Sequence, residues 1–179
     1  MRTVLFLFGH LIDEDADWLA NVGIVEKVSA GEILIEEHKH LENIFIILEG
    51  ILGVYRSKSL FPVAKLQSGD VVGEMSFIDA TPPSATVRAD QSSLVLRVPR
   101  KVLQNKINAD QGFAARFYRS MAMFLSDRLR STMLKLSQIQ GETSGEDGLT
   151  EDELDPNVLD TVSFAGNRFD RMLKKVKRP

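Results

Sequence analysis

Between Ile24 and Val98 the sequence changes character every few residues, and this punctuation constrains the fold more than any other feature. Short runs rich in β-branched and aliphatic residues occupy Ile24–Val28, Glu32–Glu36, Asn43–Leu48, Leu52–Arg56, Val63–Leu66, Ala85–Ala89 and Leu94–Val98. Turn signals fall between them at Gly31, Gly50, Gly69-Asp70 and Pro82-Pro83. Strands recurring at roughly 8–12-residue spacing predict an antiparallel sandwich, roll or barrel. No strand–helix alternation appears, so a parallel sheet is not expected.

Both flanks read as helical. The apolar run Val4–Phe8 is too short for a signal peptide and is soon followed by Asp13, Glu14, Asp15 and Asp17, so it reads as a short buried helix. Residues 12–22 form a second helix. Asp13 is placed to cap it, the following acids suit the positive end of its dipole, and Gly23 closes it. Ile12, Trp18, Leu19 and Val22 would be its buried side. Beyond Pro99, Lys101–Asn108 is a short helix and Asp110–Leu136 a long one without proline. Phe113, Phe117, Met121, Phe124, Leu125, Leu129, Met133 and Leu136 follow one another there at spacings of mostly three or four, which makes one stripe. At about 1.5 Å per residue the helix spans roughly 40 Å, more than a small barrel covers. Part of the stripe therefore calls for a second copy of the chain, with Phe117, Met121, Phe124 and Leu125 meeting their symmetry mates.

The remainder is polar. Residues 141–160 hold eight acidic residues and no basic one, a solvated linker. Residues 164–179 set Phe164, Phe169 and Met172 beside Arg168, Arg171, Lys174, Lys175, Lys177 and Arg178. That composition describes an amphipathic docking piece, expected to seat on the body through Phe164 and Phe169. The expected organisation is thus 1–138 as the folded unit, 139–163 as linker and 164–179 as tail. The net charge of -3 over 179 residues gives no general attraction to nucleic acid or anionic membrane. With no Cys, thiolate chemistry and disulfides are excluded, which fits a reducing cytoplasm. No run approaches the ~18 apolar residues that cross a bilayer.

The most informative segment is Gly69-Asp-Val-Val-Gly-Glu-Met-Ser-Phe-Ile-Asp-Ala-Thr-Pro-Pro-Ser-Ala-Thr-Val-Arg-Ala89. It resembles the phosphate-binding cassette of cyclic nucleotide-binding domains, as in catabolite activators and kinase regulatory subunits. Gly31-Glu-Ile-Leu at a turn and Ile44-Phe-Ile-Ile-Leu-Glu-Gly50 agree with that family, and the likeness covers about residues 5–136. The resemblance implies a mostly β fold with flanking helices: a double-stranded β-helix (jelly roll) with N-terminal helices and a long C-terminal dimerisation helix. It implies a non-enzymatic regulatory homodimer acting through protein partners; family members that read DNA carry a further domain after the long helix, and the roughly forty residues here are too few for one. It also implies that Gly73 admits close backbone approach and that Glu74 accepts a ribose hydroxyl. Amides near Met75, Ser76, Ser84 and Ala85 would hold the cyclic phosphate, with the Ser84 and Thr86 hydroxyls assisting.

One position departs from the pattern. The family usually places an Arg directly after the first Pro of the cassette to neutralise the phosphate, and here Pro83 stands in that position. Proline offers neither a side-chain donor nor an N–H. Leaving a buried charge unpaired costs about 3–5 kcal/mol, roughly a hundredfold to several thousandfold in affinity. A ligand such as cyclic AMP is therefore expected to bind weakly. Arg56, Arg88 and Arg128 are the cations that could compensate.

Two other classes set limits on this reading. His38 and His40 form the His-x-His pair that cupins use for metal, but Ile44 and Phe45 stand where the partner Glu should be. The remaining histidine, His10, lies in the first helix, so three or four ligands do not converge and no metal is expected. A DNA-associated regulator using the basic tail is the other alternative, although that tail is too short for a three-helix reader.

Overall fold

The computed structural model describes residues 2–57, 59–139 and 156–176. Residues 140–155, the greater part of the linker expected over 139–163, and the last tail residues 177–179 lie outside the described residues.

Eight strands form two antiparallel four-stranded sheets. One sheet has the order β1 (Ile24–Val28), β8 (Ser93–Pro99), β3 (Asn43–Glu49), β6 (Val71–Val72); the other runs β2 (Ile33–Ile35), β7 (Thr86–Ala89), β4 (Ile51–Tyr55), β5 (Ala64–Gln67). This is the β-roll that the strand spacing and the cassette imply. The two-residue β6 is an addition: it lies between Gly69-Asp70 and Gly73, where turn residues mask it.

The continuous apolar run Ile44–Leu48 explains how the layers stack. Successive side chains on a strand point to opposite faces. Phe45 and Ile47 enter the core between the sheets with Leu52, Val54, Leu66, Val87 and Val95. Ile44, Ile46 and Leu48 face the other way, into a second core shared with the helices. β3 is thus buried on both faces, and an alternating strand could not serve there.

The helices cover that outer face: α1 (Arg2–His10), α2 (Asp13–Val22), α4 (Arg100–Ala109), α5 (Gln111–Ile139) and α6 (Pro156–Val176). The boundaries of α2 match expectation, but its capping does not. Ile12 is the N-cap, and its N–H donates to the Asp15 carboxylate at 3.0 Å, so Asp15 takes the part expected of Asp13. Asp15 also receives both Arg116 Nε and Nη2, at 2.7 and 2.9 Å, which ties α2 to α5. The buried side of α2 is Asp15, Ala16 and Leu19, while Ile12 is exposed and Trp18 and Val22 are half-buried.

Two expectations about the C-terminal part need correction. Phe117, Met121 and Phe124 are buried within this chain's own core and so are not free to form a seam with a second copy, while Leu125 is half-buried. The physical reason is that α1 and α4 pack along α5, and Phe117 and Met121 meet Leu7, Leu19, Leu103 and the outer face of the sheet. Among the α5 side chains described, the large apolar residues still exposed are Tyr118, Leu129, Met133 and Leu134. The tail also differs. α6 begins at Pro156, within the stretch expected as linker, and lies against α1 and α2. Ala165, Phe169 and Met172 are buried beneath it, at helical spacing, whereas Phe164 is exposed and lies beside Arg168.

Candidate ligand pocket between the roll and the long helix

β6 ends at Gly73, which takes a left-handed conformation (φ 88°). A Cβ there would come within 2.8 Å of Leu41 and 2.9 Å of the Asn43 carbonyl oxygen, so both conformation and space demand glycine. The turn opens α3 (Glu74–Asp79), and the Ala80 N–H closes it on the Ser76 oxygen at 3.1 Å. Arg100 donates to that same Ser76 oxygen at 2.8 Å. Asp79 then accepts from the Thr81 N–H and hydroxyl, at 2.9 and 2.7 Å, and these bonds hold its carboxyl below the usual range.

The loop that follows is tied to the β2–β3 turn. The His38 N–H donates to the Pro83 carbonyl at 2.8 Å, and the Glu37 N–H donates to the Thr86 hydroxyl at 3.1 Å. His38 contributes its backbone to this lacing while its ring stands in solvent, and His40 is exposed as well. Among the described residues no group of three or more His, Asp or Glu gathers as for a metal ion.

These elements enclose a cavity of about 100 Å³ between the cassette, the inner face of the roll and α5. Gly73, Glu74, Met75, Ser76, Pro83, Ser84 and Ala85 all line it, together with Ile35, Val54, Val72, Val87 and Arg128. Thr86 does not: its neighbours Val87 and Ala85 line the cavity, and its hydroxyl is spent on the Glu37 amide. Arg56 is exposed, and Arg88 lies over the Tyr55 ring at 4.1 Å; neither lines the cavity.

Arg128 is the site residue whose place the sequence left open. It reaches from α5 to Glu74, with Nη1 2.8 Å from Oε1 across a sequence separation of 54. Its position on the buried stripe, four residues after Phe124 and seven after Met121, is the signal that could have selected it. Glu74 is 2% exposed. Burial raises its carboxyl above the ordinary range, and Arg128 with the backbone N–H groups of Glu74 and Met75 offsets part of that rise. A second contact joins α3 to α5, where the Phe77 ring meets Phe117 edge-on at 5.8 Å.

The comparisons with known proteins agree with this architecture. Residues 25–110 match the family model described as the cyclic nucleotide-binding domain. The β-roll and its cassette fall almost entirely within this matched segment. Among curated proteins the chain is similar to cyclic GMP-binding protein C of Dictyostelium discoideum, 27% identical over 94% of this chain. It spans only 7% of the length of that much larger protein. Among solved structures it is similar to a cyclic nucleotide-binding domain from Methylobacillus flagellatus, with a TM-score of 0.65 and 22% identity over 77% of this chain and 78% of that one. It is also similar to the Thermus thermophilus catabolite activator protein, with a TM-score of 0.62 and 20% identity over 94% and 85% of the two chains. These structural likenesses concern the fold. No helix among the described residues is long and apolar enough to cross a membrane.

Proposed function

We propose that the chain is a non-enzymatic regulatory module, working in the cytoplasm as a homodimer through a protein partner, whose pocket takes a cyclic nucleotide such as cyclic AMP or cyclic GMP with low affinity. The observation that carries this reading is the assembly of the cassette residues around one cavity that faces α5, with Pro83 in place of the cassette cation. The name of the Dictyostelium relative supports a cyclic nucleotide as the ligand class. The dimer rests on the exposed side of α5, where Tyr118, Leu129 and Met133 leave apolar surface uncovered. The two other classes lack comparable support. The basic groups Arg168, Arg171 and Lys175 are engaged with Asp13 and Asp17, which disfavours the tail as a DNA contact.

Titration calorimetry with cyclic AMP and cyclic GMP tests the reading. The unmodified protein should bind with a dissociation constant well above micromolar, and Pro83→Arg should tighten it by about a hundredfold. Tight binding by the unmodified protein would refute the role given to Pro83. No binding by either protein would refute the ligand class.

A further inference from the structure

The loop that joins β4 to β5 carries the most exposed large apolar side chains among the described residues. Leu60 and Phe61 are 83% and 79% exposed, and Val63 follows at 59%. Apolar side chains gathered in water at one place mark a contact surface. The backbone of this tip is already satisfied. The Ser57 N–H donates to the Glu37 carboxylate at 2.7 Å and the Ser59 N–H to the Arg56 carbonyl at 3.2 Å. The Phe61 N–H donates to the Ser59 hydroxyl oxygen at 3.3 Å, and the Val63 N–H to the Val54 carbonyl at 2.8 Å. Pro62 has no N–H to satisfy. Unpaired backbone groups are what keeps most loops out of an apolar layer, and here those donors are paired within the protein. Arg56 and Lys65, both exposed, stand at the two ends of the loop, with Lys58 between them in the sequence. The loop rests on the β2–β3 turn, where Glu36 pairs with Lys39 at 2.7 Å and Glu37 holds the Ser57 amide, so neither carboxylate stands unpaired beside the tip.

We infer that the β4–β5 loop is a lipid-docking tip: Leu60, Phe61 and Val63 enter the headgroup layer of an anionic membrane while Arg56 and Lys65 meet its phosphates. The inference goes beyond the regulatory reading and does not depend on what the pocket binds. The net charge of -3 gives no overall attraction to such a surface, so the contact is local to this loop. Shape and chemistry favour lipid over a protein partner. Anchor side chains at protein interfaces fill packed pockets on a partner built to match them. Leu60 and Phe61 stand clear of the roll, and a fluid headgroup layer takes such a tip without a matching groove. Basic side chains at its edge keep their charges at the phosphate level while their stems lie along the apolar layer. A few apolar side chains and two cations make a weak anchor, so the contact is reversible and sensitive to salt.

The test is co-sedimentation of the full chain with sucrose-loaded vesicles of equal parts phosphatidylcholine and phosphatidylserine, and with vesicles of phosphatidylcholine alone. The unmodified chain should pellet with the anionic vesicles, much less with the neutral ones, and should be released by high salt. Leu60→Ser with Phe61→Ser should lower the partition coefficient roughly tenfold or more. Arg56→Glu with Lys65→Glu should also lower it roughly tenfold or more. All four positions are exposed, so the melting curves of these variants should match that of the unmodified chain. The added indole in Phe61→Trp should be quenched by brominated acyl chains in the same anionic vesicles, whereas Trp18, half-buried in the body, should not be quenched in the unmodified chain. Failure of the unmodified chain to pellet with the anionic vesicles, a partition unchanged by either pair of substitutions, or an unquenched indole in Phe61→Trp overturns the inference. A chain that ignores both vesicles but loses self-association in light scattering on Leu60→Ser with Phe61→Ser assigns the tip to a protein contact and overturns the lipid reading.

Discussion

Truncating Met172 asks what holds α6 on the body. Two kinds of contact are available. The apolar kind is Ala165, Phe169 and Met172, with Met172 wholly buried and Phe169 tilted against Phe8 at 5.4 Å between ring centres. The charged kind is Arg171 on Asp17, at 2.9 and 2.7 Å, and Arg168 on Asp13 at 3.1 Å. Met172→Ala removes buried atoms in a packed site and should cost about 2–5 kcal/mol, the upper end applying if the helices do not close on the cavity. Arg171 stands half in solvent, and water and salt screen its pairing. Its truncation should therefore loosen α6 less than the cavity does. Hydrogen exchange read by mass spectrometry on the whole protein distinguishes the two. Amides of 164–176 should be protected in the unmodified chain, much less so in Met172→Ala, and only slightly less in Arg171→Ala. Random-coil exchange of α6 in the unmodified protein, or a larger effect from Arg171→Ala than from Met172→Ala, would refute the reasoning.

Four further outcomes follow from the geometry. Gly73→Ala forces a left-handed backbone costing about 1–2 kcal/mol and pushes a methyl against the Asn43 carbonyl, so urea denaturation should show at least that loss. Asp15→Ala strips the Ile12 cap and the two-pronged Arg116 contact together and should cost about 2–3 kcal/mol by the same assay. Glu74 titrates above its unfolded value, so the folded state holds that proton more tightly. The resulting stability is present at low pH and fades as pH rises through the folded value. Glu74→Gln should therefore be most stable relative to the unmodified protein near neutrality, and melting curves between about pH 7 and 4.5 should show the difference closing on acidification. Leu129→Asp with Met133→Asp should convert dimers to monomers in light scattering, and an unmodified protein that is monomeric at tens of micromolar would contradict the dimer.

The strands were legible because each carries its own punctuation: a β-branched run closed by glycine or proline. The exception, Val71–Val72, sits inside the turn signals that hid it. The cassette was legible as a linear motif, and the cavity gathers all of its named residues except Thr86. Whatever depends on how helices rotate against the roll was not legible. Phe117, Met121 and Phe124 read equally well as a seam or as core, and only the placement of α5 against α1, α4 and the sheet decides for the core. Arg128 lies 54 residues from Glu74, and its entry into the pocket depends on the rotation of α5. The start of α6 was obscured by the acidic composition of 141–160, although Asp155-Pro156 is a helix-start signal of the usual kind. Phe164 was expected as an anchor, but one position around a helix turns a side chain by about 100°, and here Ala165 takes the core while Phe164 faces solvent.

The central claim is that the cavity between the cassette and α5 is the ligand site. Amide chemical shifts of the isotope-labelled protein, followed while cyclic AMP or cyclic GMP is added to millimolar concentration, test it most directly. The account predicts saturable shifts concentrated at Gly73–Ser76, Ser84, Ala85 and the α5 turn around Arg128, growing stronger in Pro83→Arg. Spectra unchanged for both proteins, or shifts confined to residues away from this cavity, would contradict it.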